Sequence, residues 1–160
     1  MSFLKKLFGG DDSSRVDYYV EGVELLRGGK FHEALTSFRL ALKESPGDAV
    51  VLQQIAICYT RIGMTDEAAK TYRHVLQKDP AAAGAHYGLA FLLLHSGQPE
   101  AAVEHLQSFL AHAPSTPEAD EHVRHARTTL ARIQGVEVGP PPPLEPGPPS
   151  PLEPPPDELF

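Results

Sequence analysis

The chain has 160 residues, of which 41% are hydrophobic and 22% charged, and its formal net charge is −7. This length fits one modest domain with appended segments, and the acidic balance argues against a nucleic-acid partner, which needs a clustered basic face. A single cysteine, Cys58, excludes an intramolecular disulfide. No stretch approaches the ~20 apolar residues of a membrane-spanning helix. We therefore expect a cytoplasmic protein, with contact to the cytoplasmic face of a membrane left open.

The N-terminal segment, residues 1–14, opens with MSFLKKLFGG, and on a helix its large apolar side chains share one face that excludes both lysines. This layout predicts a short amphipathic helix followed by a Gly/Asp/Ser linker. Three interpretations stay open: weak membrane docking, packing on the folded domain, or contact with a partner protein. The residues that would make this contact are Phe3, Leu4, Lys5, Lys6, Leu7 and Phe8.

Residues 15–116 repeat with a period of 34, which divides them into units 15–48, 49–82 and 83–116. Three columns carry the period: Gly29, Gly63 and Gly97; Ala34, Ala68 and Ala102; Pro46, Pro80 and Pro114. Apolar residues at helical spacing between these markers predict that each unit is a helix, a glycine turn, a second helix and a proline stop. The small residues Gly22, Ala56 and Ala90 are expected to face the alanine column, so that the two helices of a unit can touch.

A further amphipathic segment, residues 117–134, is expected to cap the stack and to complete a folded domain at 15–135. Ser115 and Thr116 are candidate N-caps, with Glu118 placed to complete a capping box and Pro117 in the first turn. Its arginines are expected to point outward.

The remaining segment, residues 136–160, has 11 prolines in its last 21 positions and contains Pro-Leu-Glu-Pro twice. Such a composition predicts a disordered tail with polyproline II character. Three interpretations stay open: a solvated spacer, a ligand for a proline-binding domain of another protein, and docking of Leu159 and Phe160 in a groove of this or a neighbouring molecule.

The three units resemble the tetratricopeptide repeat (TPR), whose signature runs W-x2-L-G-x2-Y, then A-x3-F, then P. In the first unit the matching residues are Tyr18, Glu21, Gly22, Leu25, Ala34, Phe38 and Pro46. Glu21 and His86 stand where the family has apolar residues. The resemblance implies an all-α fold, a right-handed α-solenoid of three helix-turn-helix repeats closed by a capping helix.

In that family, the first helix of each repeat lines a concave groove that holds an extended peptide or a partner's helix. The equivalent positions here are Tyr19, Val23, Leu26, Gln53, Gln54, Ile57, Thr60, Tyr87, Phe91 and Leu94. Most are apolar, which favours an apolar or proline-containing ligand. Some members grip a C-terminal carboxylate with Lys, Arg and Asn at positions that here are Tyr19, Val23, Gln54, Gly84 and Gly88. That clamp is therefore expected to be absent.

The sequence contains no glycine-rich phosphate loop and no nucleophile elbow, so we expect neither catalysis nor a cofactor. No metal site is expected either, and His122 and His125 are interpreted as surface or packing residues. These observations favour a non-enzymatic adaptor or scaffold that binds a protein partner in the groove. The alternative is a self-assembling structural protein, a homo-oligomer whose groove holds its own N-terminal helix or tail.

Overall fold

The computed structural model describes residues 16–136, and every regular element in that range is an α-helix. The helices are α1 (Tyr18–Arg27), α2 (Phe31–Glu44), α3 (Ala49–Ile62), α4 (Thr65–Lys78), α5 (Ala83–His95), α6 (Pro99–His112) and α7 (Pro117–Ile133). The predicted amphipathic segment and the proline-rich tail lie outside the described residues, so the hypotheses about them stay predictions.

Each helix packs against the next one in the chain, and the first helices of successive units also touch, α1 with α3 and α3 with α5. Contacts that join only near neighbours in sequence are the mark of a solenoid, in which each repeat is buried by the adjacent ones. The prediction of an all-α stack of helix-turn-helix units followed by a capping helix is confirmed.

Local capping explains where several helices begin and end. The carboxylate of Asp17 accepts hydrogen bonds from the backbone N–H groups of Tyr19 and Val20, at 3.0 and 3.2 Å, and Asp48 does the same at the start of α3. These bonds satisfy donors that have no partner inside the helix. At the turn after α3, Gly63 has φ +90°, a left-handed conformation that only glycine adopts without strain.

The capping box expected at the start of α7 does not form. Thr116 is the N-cap residue, and its side chain makes no capping hydrogen bond. Pro117 instead occupies the first turn, where its fixed φ favours helix and its missing N–H leaves one donor fewer to satisfy.

The core is built around small residues where helices cross. Ala34, Ala56, Ala68, Ala90 and Ala102 are all completely buried. Gly22 leaves room for the ring of Phe38, because a Cβ at position 22 would lie 2.6 Å from Phe38 Cε1. Phe38, Leu89, Leu106, Val75 and Cys58 are the largest fully buried side chains among the described residues. Burial raises the pKa of the Cys58 thiol to about 11, so it is an inert packing residue.

The two positions that depart from the repeat signature are each satisfied by a partner on the second helix of the same unit. The Ser37 hydroxyl donates to Glu21 Oε2 at 2.9 Å. His86, 9% exposed, lies with Nε2 2.8 Å from the Pro80 carbonyl and Nδ1 3.0 Å from His105 Nδ1. Since a carbonyl only accepts, His86 Nε2 carries a proton, and in the neutral pair His105 Nδ1–H donates to His86.

This histidine pair makes stability depend on pH. Burial, the neighbouring His86 and the Arg73 guanidinium lower the pKa of His105, against an opposing effect of Glu104. The unfolded chain, with His105 near its ordinary pKa of about 6.5, therefore takes up a proton more readily than the folded chain. The stabilisation is complete when the pH is above the pKa of His105 in the unfolded chain. It is lost as the pH falls from that pKa to the lower pKa of His105 in the folded chain.

We expect the urea midpoint of the wild type to fall between about pH 7.5 and about pH 5.5, and His105→Thr to reduce that fall. Threonine is the residue at the equivalent position 71 of the second unit. Urea titrations at the two pH values measure the effect. His112→Thr, which removes an exposed histidine of α6, should leave the wild-type difference in place. Equal pH dependence in His105→Thr and the wild type would contradict the assignment.

Candidate binding groove

The residues proposed to line the groove lie on the first helices of the three units, α1, α3 and α5. Thr60 is exposed and the other nine are half-buried. Tyr19, Val23 and Leu26 pack against a core cluster around Phe38 that α2 and α3 share. Ile57, Tyr87, Phe91 and Leu94 pack against the larger cluster around Leu89. Each of these apolar side chains thus has one side in the core and another open to solvent.

At the third unit, the surface is a cluster of rings that we call the aromatic notch, formed by Tyr87, Phe91, His122 and His125. The rings of Tyr87 and Phe91 are 4.7 Å apart between centroids. His125 from α7 stacks on Phe91 at 4.6 Å with an angle of 14°. The Tyr87 hydroxyl is hydrogen-bonded to His125 Nδ1 at 3.0 Å, and His122 meets Tyr87 edge-on at 4.9 Å.

A concavity of about 400 Å³ opens beside this notch. It is lined by Tyr87, His122 and His125 together with two exposed charged residues, Glu121 and Arg124. Burial and the nearby Glu121 carboxylate raise the pKa of Tyr87, so its hydroxyl stays protonated near neutral pH. The notch offers flat rings and a neutral hydroxyl, with one cation, Arg124, and one anion, Glu121, at its rim.

The contribution of α7 to this surface was not predicted from the sequence. His122 and His125 were interpreted only as surface or packing residues, because α7 was expected to act as a cap. In the structure α7 packs on α6, and its two histidine rings contact Tyr87 and Phe91 of α5. Adding 34 to Phe91 gives His125, and this extension of the repeat columns is the signal that could have found it.

Close packing accounts for the two glycines at the positions where a carboxylate clamp would stand. A Cβ on Gly88 would overlap the ring of Tyr72, lying 2.6 Å from its hydroxyl oxygen. A Cβ on Gly84 would meet the amide of Gln53, whose Cδ is 3.1 Å away. Tyr72 is itself 3% exposed. At position 88 the space that a cationic clamp residue needs is filled by the buried Tyr72 ring, whereas at the exposed position 84 it is occupied only by the end of the flexible Gln53 side chain.

No group of three or more His, Cys, Asp or Glu side chains within residues 16–136 is arranged to hold a metal ion. None of the helices described is both long enough and apolar enough to cross a bilayer.

Comparison with known sequences bears on the repeats directly. Residues 63–128 match the family profile of the tetratricopeptide repeat. This stretch of the chain is similar to tetratricopeptide repeats. A TPR repeat-containing protein of Methanocaldococcus jannaschii is 34% identical over 77 residues, which are 48% of this chain and 13% of that relative. The chain therefore spans only a small part of the length of this relative.

Solved structures show the same arrangement of TPR helices. The type III secretion chaperone SycD of Yersinia enterocolitica, in complex with a peptide of the translocator YopD, superposes with a TM-score of 0.67 at 20% identity, covering 73% of this chain and 89% of SycD. The TPR2B domain of yeast Sti1, in its complex with pHsp70, gives a TM-score of 0.64 at 17% identity, covering 74% and 94% of the two chains. At these identities the likeness concerns the fold.

Proposed function

We propose that residues 15–135 form a non-enzymatic protein-interaction domain, an adaptor or scaffold that binds a peptide or helix of a partner protein in the groove. The observation that carries the proposal is the row of half-buried apolar side chains on α1, α3 and α5. A folded domain gains stability by burying such side chains fully, so a row left half open on one face is typical of a binding surface.

The ligand class follows from what lines the groove. Apolar and aromatic side chains dominate, so most of the affinity is expected from burying apolar or proline side chains against them. Gln53 and Gln54, both half-buried on α3, are the groups proposed to hydrogen-bond the backbone of an extended ligand. Glycines at positions 84 and 88 supply no cationic clamp, so a free carboxylate is not part of the proposed ligand.

The structural neighbours support protein binding as the function, although they do not identify a partner for this chain. SycD was solved with a peptide of YopD, and the TPR2B domain of Sti1 with pHsp70. The shared fold is therefore seen in complex with another protein or its peptide in both cases, and binding of this kind needs no catalytic residues.

Selection from a phage-displayed library of random peptides tests this proposal. Peptides enriched on the wild-type chain should bind Phe91→Ala at least about tenfold more weakly, because Phe91 lies at the centre of the notch and truncation of a central aromatic anchor typically costs ~1–2 kcal/mol or more. Fluorescence anisotropy with a labelled selected peptide measures the affinity.

The matched control is Leu40→Ala. Leu40 is half-buried on α2 and belongs to neither core cluster nor to the groove, so its removal should leave peptide affinity unchanged. Circular dichroism verifies that both variants fold. Selection of no peptide, or equal binding to Phe91→Ala and the wild type, would reject the groove as the binding surface.

A further inference from the structure

We propose that the aromatic notch and the adjoining half of α7 are a docking surface for the chain's own acidic proline-rich segment, residues 140–156, bound within the same molecule. The inference rests on the proposed function, since it names one occupant of the same groove. Three observations support it: the charge of α7, the aromatic rings of the notch, and the short distance along the chain from the end of α7 to the proline-rich segment.

Charge separates α7 into two parts. Glu118, Asp120 and Glu121 lie in its first half, whereas the stretch from His122 to Ile133 carries three arginines, two histidines and no acidic residue. The arginines are Arg124, Arg127 and Arg132. All three are exposed, and within residues 16–136 none of them forms an ion pair.

The segment that follows α7 has the opposite charge. Residues 137–160 contain five acidic residues and no basic one. Complementary charge of this kind steers and aligns a contact, although each exposed pair contributes only ~0–1 kcal/mol. Glu121 at the rim of the concavity opposes an acidic ligand, so the favourable route runs along the arginine side of α7.

The aromatic rings of the notch are suited to bind a proline-rich segment. Proline-rich segments dock on grooves lined by aromatic rings, because the polyproline II conformation loses little entropy on binding. With about three residues per turn, the prolines at both ends of Pro-Leu-Glu-Pro fall on one face. In the copy at 143–146, that face can lie against Tyr87 and His122 while Glu145 points towards Arg124.

The distances allow this contact within one molecule. His122 lies eleven residues before Ile133, which is ~16 Å along the helix axis at 1.5 Å per residue. From Val136 to Pro143 is seven residues, and in polyproline II they reach ~22 Å. The first Pro-Leu-Glu-Pro copy can therefore turn back along α7 and arrive at the notch. A tether of this length gives a weak contact a high effective concentration.

Paramagnetic relaxation in the full chain tests the proposal. A nitroxide is attached at Ser150→Cys in a Cys58→Ala background, and the amide signals of α5 and α7 are recorded. We expect loss of intensity at residues around Tyr87 and His125. The charge reversal Glu145→Lys/Glu153→Lys should restore the intensity, as should Arg124→Glu/Arg127→Glu. Lys43→Glu, an exposed change on α2, should leave the intensity loss in place.

Combining the two reversals restores opposite charge and should bring the intensity loss back. The proposal is overturned if the nitroxide causes no loss at the notch, or if the loss survives both reversals. It is also overturned if the loss appears only between spin-labelled and isotope-labelled molecules, which would mean a contact between copies. Because the nitroxide reports the tail and the phage selection reports an added peptide, failure of one proposal can be told from failure of the other.

Discussion

Replacing Phe38 by alanine is expected to lower the free energy of unfolding by about 3–5 kcal/mol. Phe38 is completely buried, it fills the space that Gly22 leaves open, and its ring lies 5.9 Å from that of Tyr19. The substitution leaves a cavity between α1 and α2, which can close only if these helices move. Urea unfolding followed by circular dichroism measures the loss.

Phe31→Ala is the matched control for this prediction. Phe31 is only half-buried at the start of α2, where Arg61 lies 5.6 Å from its ring, so the same truncation should cost much less. Gly22→Ala should destabilise the wild type by ~1–3 kcal/mol through overpacking. Its cost should shrink in the Phe38→Ala background, because the clashing ring is gone. Equal losses for Phe38→Ala and Phe31→Ala would show that the first repeat is not packed as described.

Replacing Ala126 by arginine is expected to detach α7, at a cost of roughly 3 kcal/mol or more. Ala126 is completely buried and belongs to the same core cluster as Leu106 and Phe109. A long charged side chain has no room there and no partner for its charge. Detachment also exposes the apolar face of the third repeat, so we expect faster proteolysis between α6 and α7 and a lower midpoint in thermal unfolding.

Ala111→Arg makes the same change at an exposed position of α6, and it should leave proteolysis and the midpoint unchanged. If Ala126→Arg behaved like Ala111→Arg, the helix would not be an essential cap. The comparison separates the effect of blocking the α6–α7 interface from the effect of an added positive charge.

The fold could be predicted from the sequence because the same pattern occurs three times in the chain. One amphipathic segment with a glycine at its end is weak support for a helix, but three segments in register at a period of 34 define both helices and turns. Columns such as Ala34, Ala68 and Ala102 also predict where helices cross, and all three alanines are completely buried.

The partners of the polar residues in the core and the shape of the notch could not be predicted, because they depend on contacts between helices and not on one repeated position of the sequence. His86 breaks the apolar pattern of its position, and only the structure shows the Pro80 carbonyl and His105 at hydrogen-bonding distance. Likewise, the acidic Glu21 is accommodated by Ser37 from the next helix. The part that His125 plays in the notch was missed because the glycine, alanine and proline columns end at residue 116, although the period of 34 leads from Phe91 to His125 in α7.

The close fit between Tyr72 and Gly88 links the choice of ligand in this groove to the stability of the domain. A cationic side chain at position 88 would have to enter the volume occupied by the Tyr72 ring. The third unit has Leu106, completely buried, where the second has Tyr72, so a smaller apolar residue is compatible with the repeat. Redesign or evolution of this groove towards acidic termini would therefore proceed by paired substitutions, with residue 72 shrinking before residue 88 grows.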